Sequence, residues 1–159
     1  MAIYVKIDGI EGDATHESHK NWVDVGSMQF GAGRAISTPS GRAANREASE
    51  PSISEVTLTR ELDKSSPKFF KEAVAGKVGK KVQIDLVTTG DPGDTFMTYT
   101  LENALVSGYS VSANGSGRPS ETISLNFSKI ELKYTPYDAG HKPQAPIVSS
   151  YDIATTKSG

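Results

Sequence analysis

The sequence predicts a mainly β protein, a β-barrel of two packed antiparallel sheets with one short α-helix at about residues 66–76 on its flank. Apolar and polar residues alternate in several segments, which is the period-two pattern of half-buried strands. Only one segment has the spacing of an amphipathic helix. The length of 159 residues fits a single domain with one core, covering 1–159.

The first strands lie near the N-terminus. Ile3, Val5 and Ile7 alternate with polar residues, and this segment predicts a strand. A polar connection follows, and apolar character resumes over residues 22–30, with Gly26 at the position of an expected bulge.

The middle of the chain predicts a strand, a short helix and a second strand over residues 56–87. Ser66-Pro67 opens the helix, because proline lacks the N–H that would be unpaired in a first turn. Roughly three helical turns are too short to be stable alone in water, so the helix must dock on a sheet. The residues predicted to be buried there are Phe69, Phe70, Ala73 and Val74.

The C-terminal half continues the β pattern. A strand runs through residues 96–112, and Asn114-Gly115 favours a tight hairpin turn because both residue types tolerate positive φ. In the next apolar run, 123–134, the inward phase slips by one residue near Ser128–Lys129. A slip of this kind predicts a β-bulge that re-aims the strand at a barrel corner.

Two segments lack a regular pattern. Residues 31–52 are rich in glycine, serine and arginine, and a structureless loop longer than about 15 residues is uncommon unless it is functional or disordered. Residues 136–159 contain three prolines and are expected to form a loosely structured tail.

Composition excludes several classes of function. The net charge of −2 argues against nucleic-acid binding, which normally needs a basic surplus. The N-terminus reads as a strand and not as a signal peptide, and no apolar run approaches the ~18 residues of a membrane span. We therefore expect a protein made in the cytosol, without membrane insertion.

The sequence does not indicate an enzyme. His16 and His19 lie near Asp13 and Glu17, but zinc sites usually need a further fixed ligand, so a solvated polar loop is favoured over a metal cluster. Glu61 and its charged neighbours Arg60, Asp63 and Lys64 are interpreted as an exposed edge. We predict no catalytic residues, no metal and no cofactor.

Several segments together resemble the Hcp proteins of bacterial type VI secretion. The resemblance extends in order over nearly the whole chain and rests on residues 3–13, 19–24, 27–31, 56–60, 63–67 with the following helix, Gly76-Lys77, 123–134 and 150–154. Lys133 is a departure, since many family members carry an aromatic residue there.

This resemblance implies a structural subunit that forms homohexameric rings. The rings stack into an inner tube, which is expelled together with the effector proteins that it carries. The implied partners are other copies of the chain, the sheath, spike and baseplate proteins, and secreted effectors. The implied route is from the bacterial cytoplasm through the type VI system, without a cleaved signal peptide.

Two assembly sites are expected on this basis. The 31–52 loop is expected to contact the next ring, and Gln29 is the candidate residue of the tube lumen. The loop residues expected to make the contact are Arg34, Ile36, Arg42, Arg46 and Glu47. The alternative function is a monomeric β-barrel that binds a small ligand in its interior. A hydrolase using Asp13, His16 or His19 is the least favoured hypothesis.

Overall fold

The computed structural model describes residues 1–38, 40–41 and 47–159. Within them lie the helix α1 (Ser66–Ala75) and the following strands: β1 (Ala2–Ile7), β2 (Val23–Val25), β3 (Ser27–Gln29), β4 (Ala32–Gly33), β5 (Ile36–Ser37), β6 (Glu47–Ala48), β7 (Ser52–Ile53), β8 (Val56–Glu61), β9 (Lys80–Val87), β10 (Thr95–Ser112), β11 (Ser120–Asn126), β12 (Lys129–Tyr134), β13 (Ile147–Asp152) and β14 (Lys157–Ser158). The predicted fold class, mainly β with antiparallel sheets and one short helix, is confirmed.

Seven strands form a circuit of antiparallel pairs, in which the consecutive strands β2 and β3 share one position. β1 pairs with β2 and β9, β9 with β10, β10 with β11, β11 with β8, and β8 with β3. Only Gly26 separates β2 from β3, and its N–H donates to the Thr59 carbonyl at 3.0 Å. The pairings thus return to the first strand, as the edges of a barrel must.

The long strand β10 belongs to both sheets. Its first half pairs with β9 and β12, and its second half, from Leu105, pairs with β11. Asn103 has a positive φ of 55°, and the register shifts between Val106 and Gly108. Such irregularities bend a strand, and here they lie where β10 passes from one sheet to the other.

The interior of the circuit is filled by apolar side chains. The largest that are almost completely buried are Phe69, Leu58, Ile84, Leu101, Ile123 and Leu125. They come from β8, β9, β10, β11 and α1, so the core lies between the two sheets and the helix covers one side of it.

Helix α1 lies at the predicted position, but its predicted buried face is half wrong. Phe69 is 1% exposed and Ala73 packs against the core. Phe70 and Val74 are 54% and 68% exposed. Successive helical residues are rotated by about 100°, so a helix that rests on β10 through a narrow stripe buries positions i and i+4 and leaves the adjacent stripe in solvent.

The run predicted as one bulged strand over 123–134 forms two strands. β11 ends at Asn126 and pairs with β8 and β10, whereas β12 begins at Lys129 and pairs with β10 and β13. The slip in apolar phase was correctly located, but it marks a change of sheet instead of a bulge.

The prediction of a loosely structured tail over 136–159 is wrong for its second half. All six residues of β13 pair with β12, and β14 folds back onto Tyr151 and Asp152. Ile147 and Val148 are exposed and two serines follow them, so this strand near the sheet edge lacks the alternation that identifies a half-buried strand.

Within the irregular loop predicted over 31–52, the described residues pair as the two strands of a narrow β-hairpin. β4 pairs with β7 and β5 with β6, and Ala35 and Ser49 bond to each other between the two ladders. We call residues 31–38 and 47–54 the arm. The side chains of the arm are exposed except that of Ile53, which is half-buried. The Glu47 side chain is not described.

Candidate assembly surfaces and buried polar clusters

The outer stripe of α1 is an exposed apolar surface. Phe70 and Val74 lie one turn apart and therefore adjoin on the helix. The Phe70 ring makes one aromatic contact, edge-on to Tyr109 with 6.1 Å between centroids. Large apolar groups exposed side by side are a feature of protein interaction sites.

The arm is the second exposed surface. Ile36 is 52% exposed and Arg34 is also exposed, so both side chains are available to another molecule. Glu47 is placed by its backbone pairing with Ser37. Arg42 and Arg46, also predicted to make contacts, lie outside the described residues.

Gln29 lies on the solvent face of the sheet formed by β3, β8, β11 and the end of β10. It is exposed, and its cross-strand partner on β8 is Thr57. The partner of Thr57 on β11 is Ser124, so the three residues form one row across the sheet. The neighbouring row runs through Ser27, Thr59 and Thr122 and ends at Ser110. Small polar side chains therefore dominate this face.

The charged edge predicted around Arg60 is wrong in its main feature, since Arg60 is buried. Its guanidinium contacts the fully buried Glu121 carboxylate and lies 2.5 Å from the Asp63 carboxylate. It also donates to the Asp24 carbonyl at 3.0 Å and to the Ser65 hydroxyl at 3.1 Å. The pair between Lys64 and Asp13, by contrast, is exposed.

This network fixes the start of α1. Burial alone would raise the pKa of Asp63, but hydrogen bonds from Ser65 and Arg60 outweigh it, so the pKa lies below its ordinary value. Burial also raises the pKa of Tyr109 to about 12, aided by the hydrogen bond that its hydroxyl donates to Glu121 at 2.5 Å. The cluster thus binds β8, β10 and β11 to the turn before the helix.

The second buried polar cluster involves the histidines expected in a solvated loop. His19 is 2% exposed, so that expectation is wrong for it. Its imidazole stacks on Tyr4 and lies edge-on to Trp22, with centroids 4.8 Å and 4.5 Å apart. Its Nε2 lies 2.8 Å from Oδ2 of Asp85, and its Nδ1 lies 2.8 Å from Nδ1 of His16.

Sequence reasoning missed Glu121 and Asp85, although one signal was present. Glu121 has the same strand phase as Ile123 and Leu125, and Arg60 has the same phase as Leu58. A glutamate and an arginine in the inward phase of two strands indicate a buried pair. Asp85 lies on the opposite face of β9 from Ile84, and no local pattern shows that the 11–22 segment covers it.

Neither cluster has the ligand set of a metal centre. Within residues 1–38, 40–41 and 47–159, no group of three or more histidine, cysteine, aspartate or glutamate side chains is placed to hold a metal ion. Nor does that part of the chain contain a helix with the length and apolarity needed to cross a bilayer.

Comparison with known proteins gives consistent results. A family model described as "Type VI secretion system effector, Hcp" matches residues 4–134. Protein hcp1 of Pseudomonas aeruginosa is 26% identical over 156 residues, covering 95% of this chain and 94% of that protein. A solved structure described as a type six secretion system protein is 27% identical, with a TM-score of 0.91 over 99% of both chains. Hcp1 from Salmonella typhimurium, at 23% identity, supports the fold, with a TM-score of 0.78 over 99% of this chain and 98% of that one.

Proposed function

This chain belongs to the Hcp family of type VI secretion proteins, and we propose that it is the structural subunit of the secretion tube. In this proposal six copies close into a ring, rings stack into a tube, and the tube is expelled together with effector proteins that it carries. The role is structural, and no residue is assigned a catalytic function.

The observation that carries the proposal is the apolar stripe of Phe70 and Val74. An isolated chain gains no stability from these two side chains, because they are exposed to water. Covering them with another subunit would remove their apolar surface from water, which is favourable. A ring is built by head-to-tail contacts, in which one surface of a subunit meets a different surface of the next. We assign the stripe to one side of this contact.

The arm is assigned to the contact between rings. Its described residues pair in two short ladders and most of their side chains are exposed, and an isolated pair of strands is at best marginally stable in water. Packing on a neighbouring ring would add the missing contacts. Arg34 and Ile36 provide a charged and an apolar group for it, and Arg42, Arg46 and Glu47 remain part of this proposal.

The tube subunit must also meet the other parts of the machine. We propose contacts with the sheath, spike and baseplate proteins on the outside and ends of the tube, and with effectors inside it. The chain would leave the bacterial cytoplasm through this system.

The alternative function, a monomeric barrel with a small ligand inside, has weaker support. Leu58, Ile84, Leu101 and Ile123 meet in the interior and are completely buried. Side chains occupy the space that a ligand would need.

The test is the mass and shape of the purified protein. Light scattering should give a particle with the mass of six 16.9 kDa chains, and electron microscopy should show rings. Val74→Ser should weaken the ring, whereas Val111→Ser, at a valine of β10 that is 50% exposed, should not. A monomer at cellular concentrations, with folding intact, would contradict the proposal.

A further inference from the structure

Three hydrogen-bond contacts run in a chain from a buried carboxylate to a surface turn. Oδ2 of Asp85 meets Nε2 of His19 at 2.8 Å, and Nδ1 of His19 meets Nδ1 of His16 at 2.8 Å. Nε2 of His16 then meets the Pro92 carbonyl at 2.5 Å. The chain connects the 11–22 segment to β9 on one side and to the turn after β9 on the other.

Counting protons shows that neutral histidines cannot make all three contacts. The Pro92 carbonyl can only accept, so Nε2 of His16 must carry a proton. The two Nδ1 atoms need a second proton between them, and the contact with Asp85 needs a third. Two neutral imidazoles bring only two protons, one each.

We infer that the folded protein holds one additional proton on the His16–His19–Asp85 cluster and that this proton joins the 11–22 segment to β9 and to the turn after β9. With it, the two histidines carry one positive charge, which balances the Asp85 carboxylate. His19 and Asp85 are buried, and a positive charge beside the carboxylate avoids the cost of burying an unpaired ion. The other Asp85 oxygen accepts from Gln83 at 3.1 Å and from Thr98 at 2.9 Å, so every contact of this carboxylate is satisfied.

Other ionisable groups lie around the cluster. Tyr4 of β1 stacks on His19, and Asp24 of β2 stands opposite Tyr4; burial and the Asp24 charge both raise the pKa of Tyr4. The N-terminal ammonium of Met1 bonds to Thr89, and Met1, Thr89 and His16 line one surface pocket. Tyr4 is neutral in the pH range considered, so the proton remains with the histidines and Asp85.

Loss of the proton breaks the chain of bonds. Without it, two acceptor atoms face each other either between the histidines, where the contact is part-buried, or between His19 and Asp85, where it is buried, and a contact between two acceptors away from water is unfavourable. An unfolded chain with neutral histidines lacks this proton, so raising the pH should favour unfolding. One proton can lower the folding equilibrium constant by at most about tenfold per pH unit.

Asp85→Asn provides a sharp test. Its amide can turn an N–H toward Nε2 of His19, so the variant makes all three contacts with two neutral imidazoles. The ratio of wild-type to variant folding constants, measured by denaturant unfolding, should fall with pH by up to about tenfold per unit. The matched control is Asp94→Asn, beside the exposed His141 at 2.9 Å, where the ratio should change far less. A ratio for Asp85→Asn that is independent of pH would overturn the inference.

A direct proton count completes the test. Solid-state NMR of ¹⁵N-histidine-labelled protein does not depend on the size of the assembly and resolves protonated from unprotonated ring nitrogens. At pH 7.5 the wild type should show three hydrogen-bonded protons on the cluster, against two on the imidazoles of Asp85→Asn. Two protons in both proteins, or a bound zinc ion between the two Nδ1 atoms, would show that no additional proton is held. Neither experiment depends on ring formation.

Discussion

Arg60 and Glu121 stand directly opposite each other on β8 and β11, and their side chains form an ion pair that is closed to solvent. The guanidinium also bonds to Asp63, and its carbon lies 6.0 Å from the centre of the Phe69 ring. One charged group thus connects two strands, the turn before α1 and the buried side of the helix.

We expect Glu121→Leu to destabilise the fold strongly. The substitution removes the fully buried partner of Arg60 and leaves it only the pair with Asp63, and removing one member of a buried pair typically costs ~3–5 kcal/mol in the free energy of unfolding. Denaturant unfolding measures this cost directly. The double variant Arg60→Met with Glu121→Leu should recover part of it, because it removes the buried charge of Arg60, while Asp63 and Tyr109 still each lose a partner.

The exposed pair between Arg118 and Glu61 is the control for this experiment. Both side chains are largely in solvent, and exposed pairs contribute little. Glu61→Leu should therefore leave the unfolding midpoint nearly unchanged. A loss for Glu121→Leu as small as that for Glu61→Leu would mean that water reaches the buried pair.

The Tyr109 phenol should ionise at a higher pH than an ordinary tyrosine. Burial and its hydrogen bond to Glu121 raise its pKa to about 12, whereas the unfolded value is about 10. This group contributes stability that is fully present below pH 10 and is lost as the pH rises toward 12. Ultraviolet titration of wild type against Tyr109→Phe isolates this phenol.

Glu121→Gln tests the cause of the Tyr109 shift. The substitution removes the negative charge but leaves the burial, which is the largest contribution. The pKa of Tyr109 should therefore move only part of the way back toward 10. An unchanged titration curve would assign the whole shift to burial.

Two adjacent phenylalanines should respond differently to the same substitution. Phe69→Ala removes a buried ring and should cost ~3–5 kcal/mol of unfolding free energy, as large-to-small core changes do. Phe70→Ala removes an exposed ring and should change the stability of the subunit little while weakening the ring assembly. Unfolding and light scattering on both variants separate the effects. Equal losses of subunit stability would place Phe70 in the core.

The strands and the helix could be predicted because their apolar periodicity is local. Val56 and Leu58 alternate clearly, and the helix begins at the Ser66-Pro67 signal. Which side of α1 rests on the sheet could not be predicted, because Phe69 and Phe70 are chemically identical and only the tertiary contact with β10 distinguishes them. The same holds for Asp85, whose partner His19 is 66 residues distant in the chain.

The arm and the tail were missed for a different reason. Each ladder of the arm has two residues per strand, too few for alternation to be visible. In β13, apolar and polar residues follow one another in blocks because neither face joins the core. Where a strand is held by backbone pairing near a sheet edge, its side-chain pattern contains little information about it.

Shortening the arm should separate ring formation from ring stacking. The Ser49 N–H donates to the Ala35 carbonyl at 2.8 Å, so the two residues are close enough for an Asn-Gly turn to replace residues 36–48. Single rings should persist, whereas tube growth and secretion should fall. Ile36→Ser is the point variant for the same effect.

Two outcomes would contradict the assignment of the arm. Loss of single rings would place the arm in the contact within a ring. Nucleic-acid binding that is sensitive to salt and disappears with the deletion would instead favour a basic-patch function, since salt dependence is typical of phosphate contacts.

Gln29 provides the test of the lumen. A channel that accepts effectors of many shapes needs a polar, adaptable wall, and the sheet face around Gln29 presents small polar groups in two rows, including Thr57 and Ser124. Gln29→Arg adds charge and bulk to this face. Hexamers should still form, because the exposed side chain would extend into open space, while effector loading should decrease. Gln29→Asn keeps the amide and should load normally. If Gln29→Arg dissociates the hexamer while the subunit remains folded, then β3 lies in the contact between subunits, and the lumen must be lined by another face.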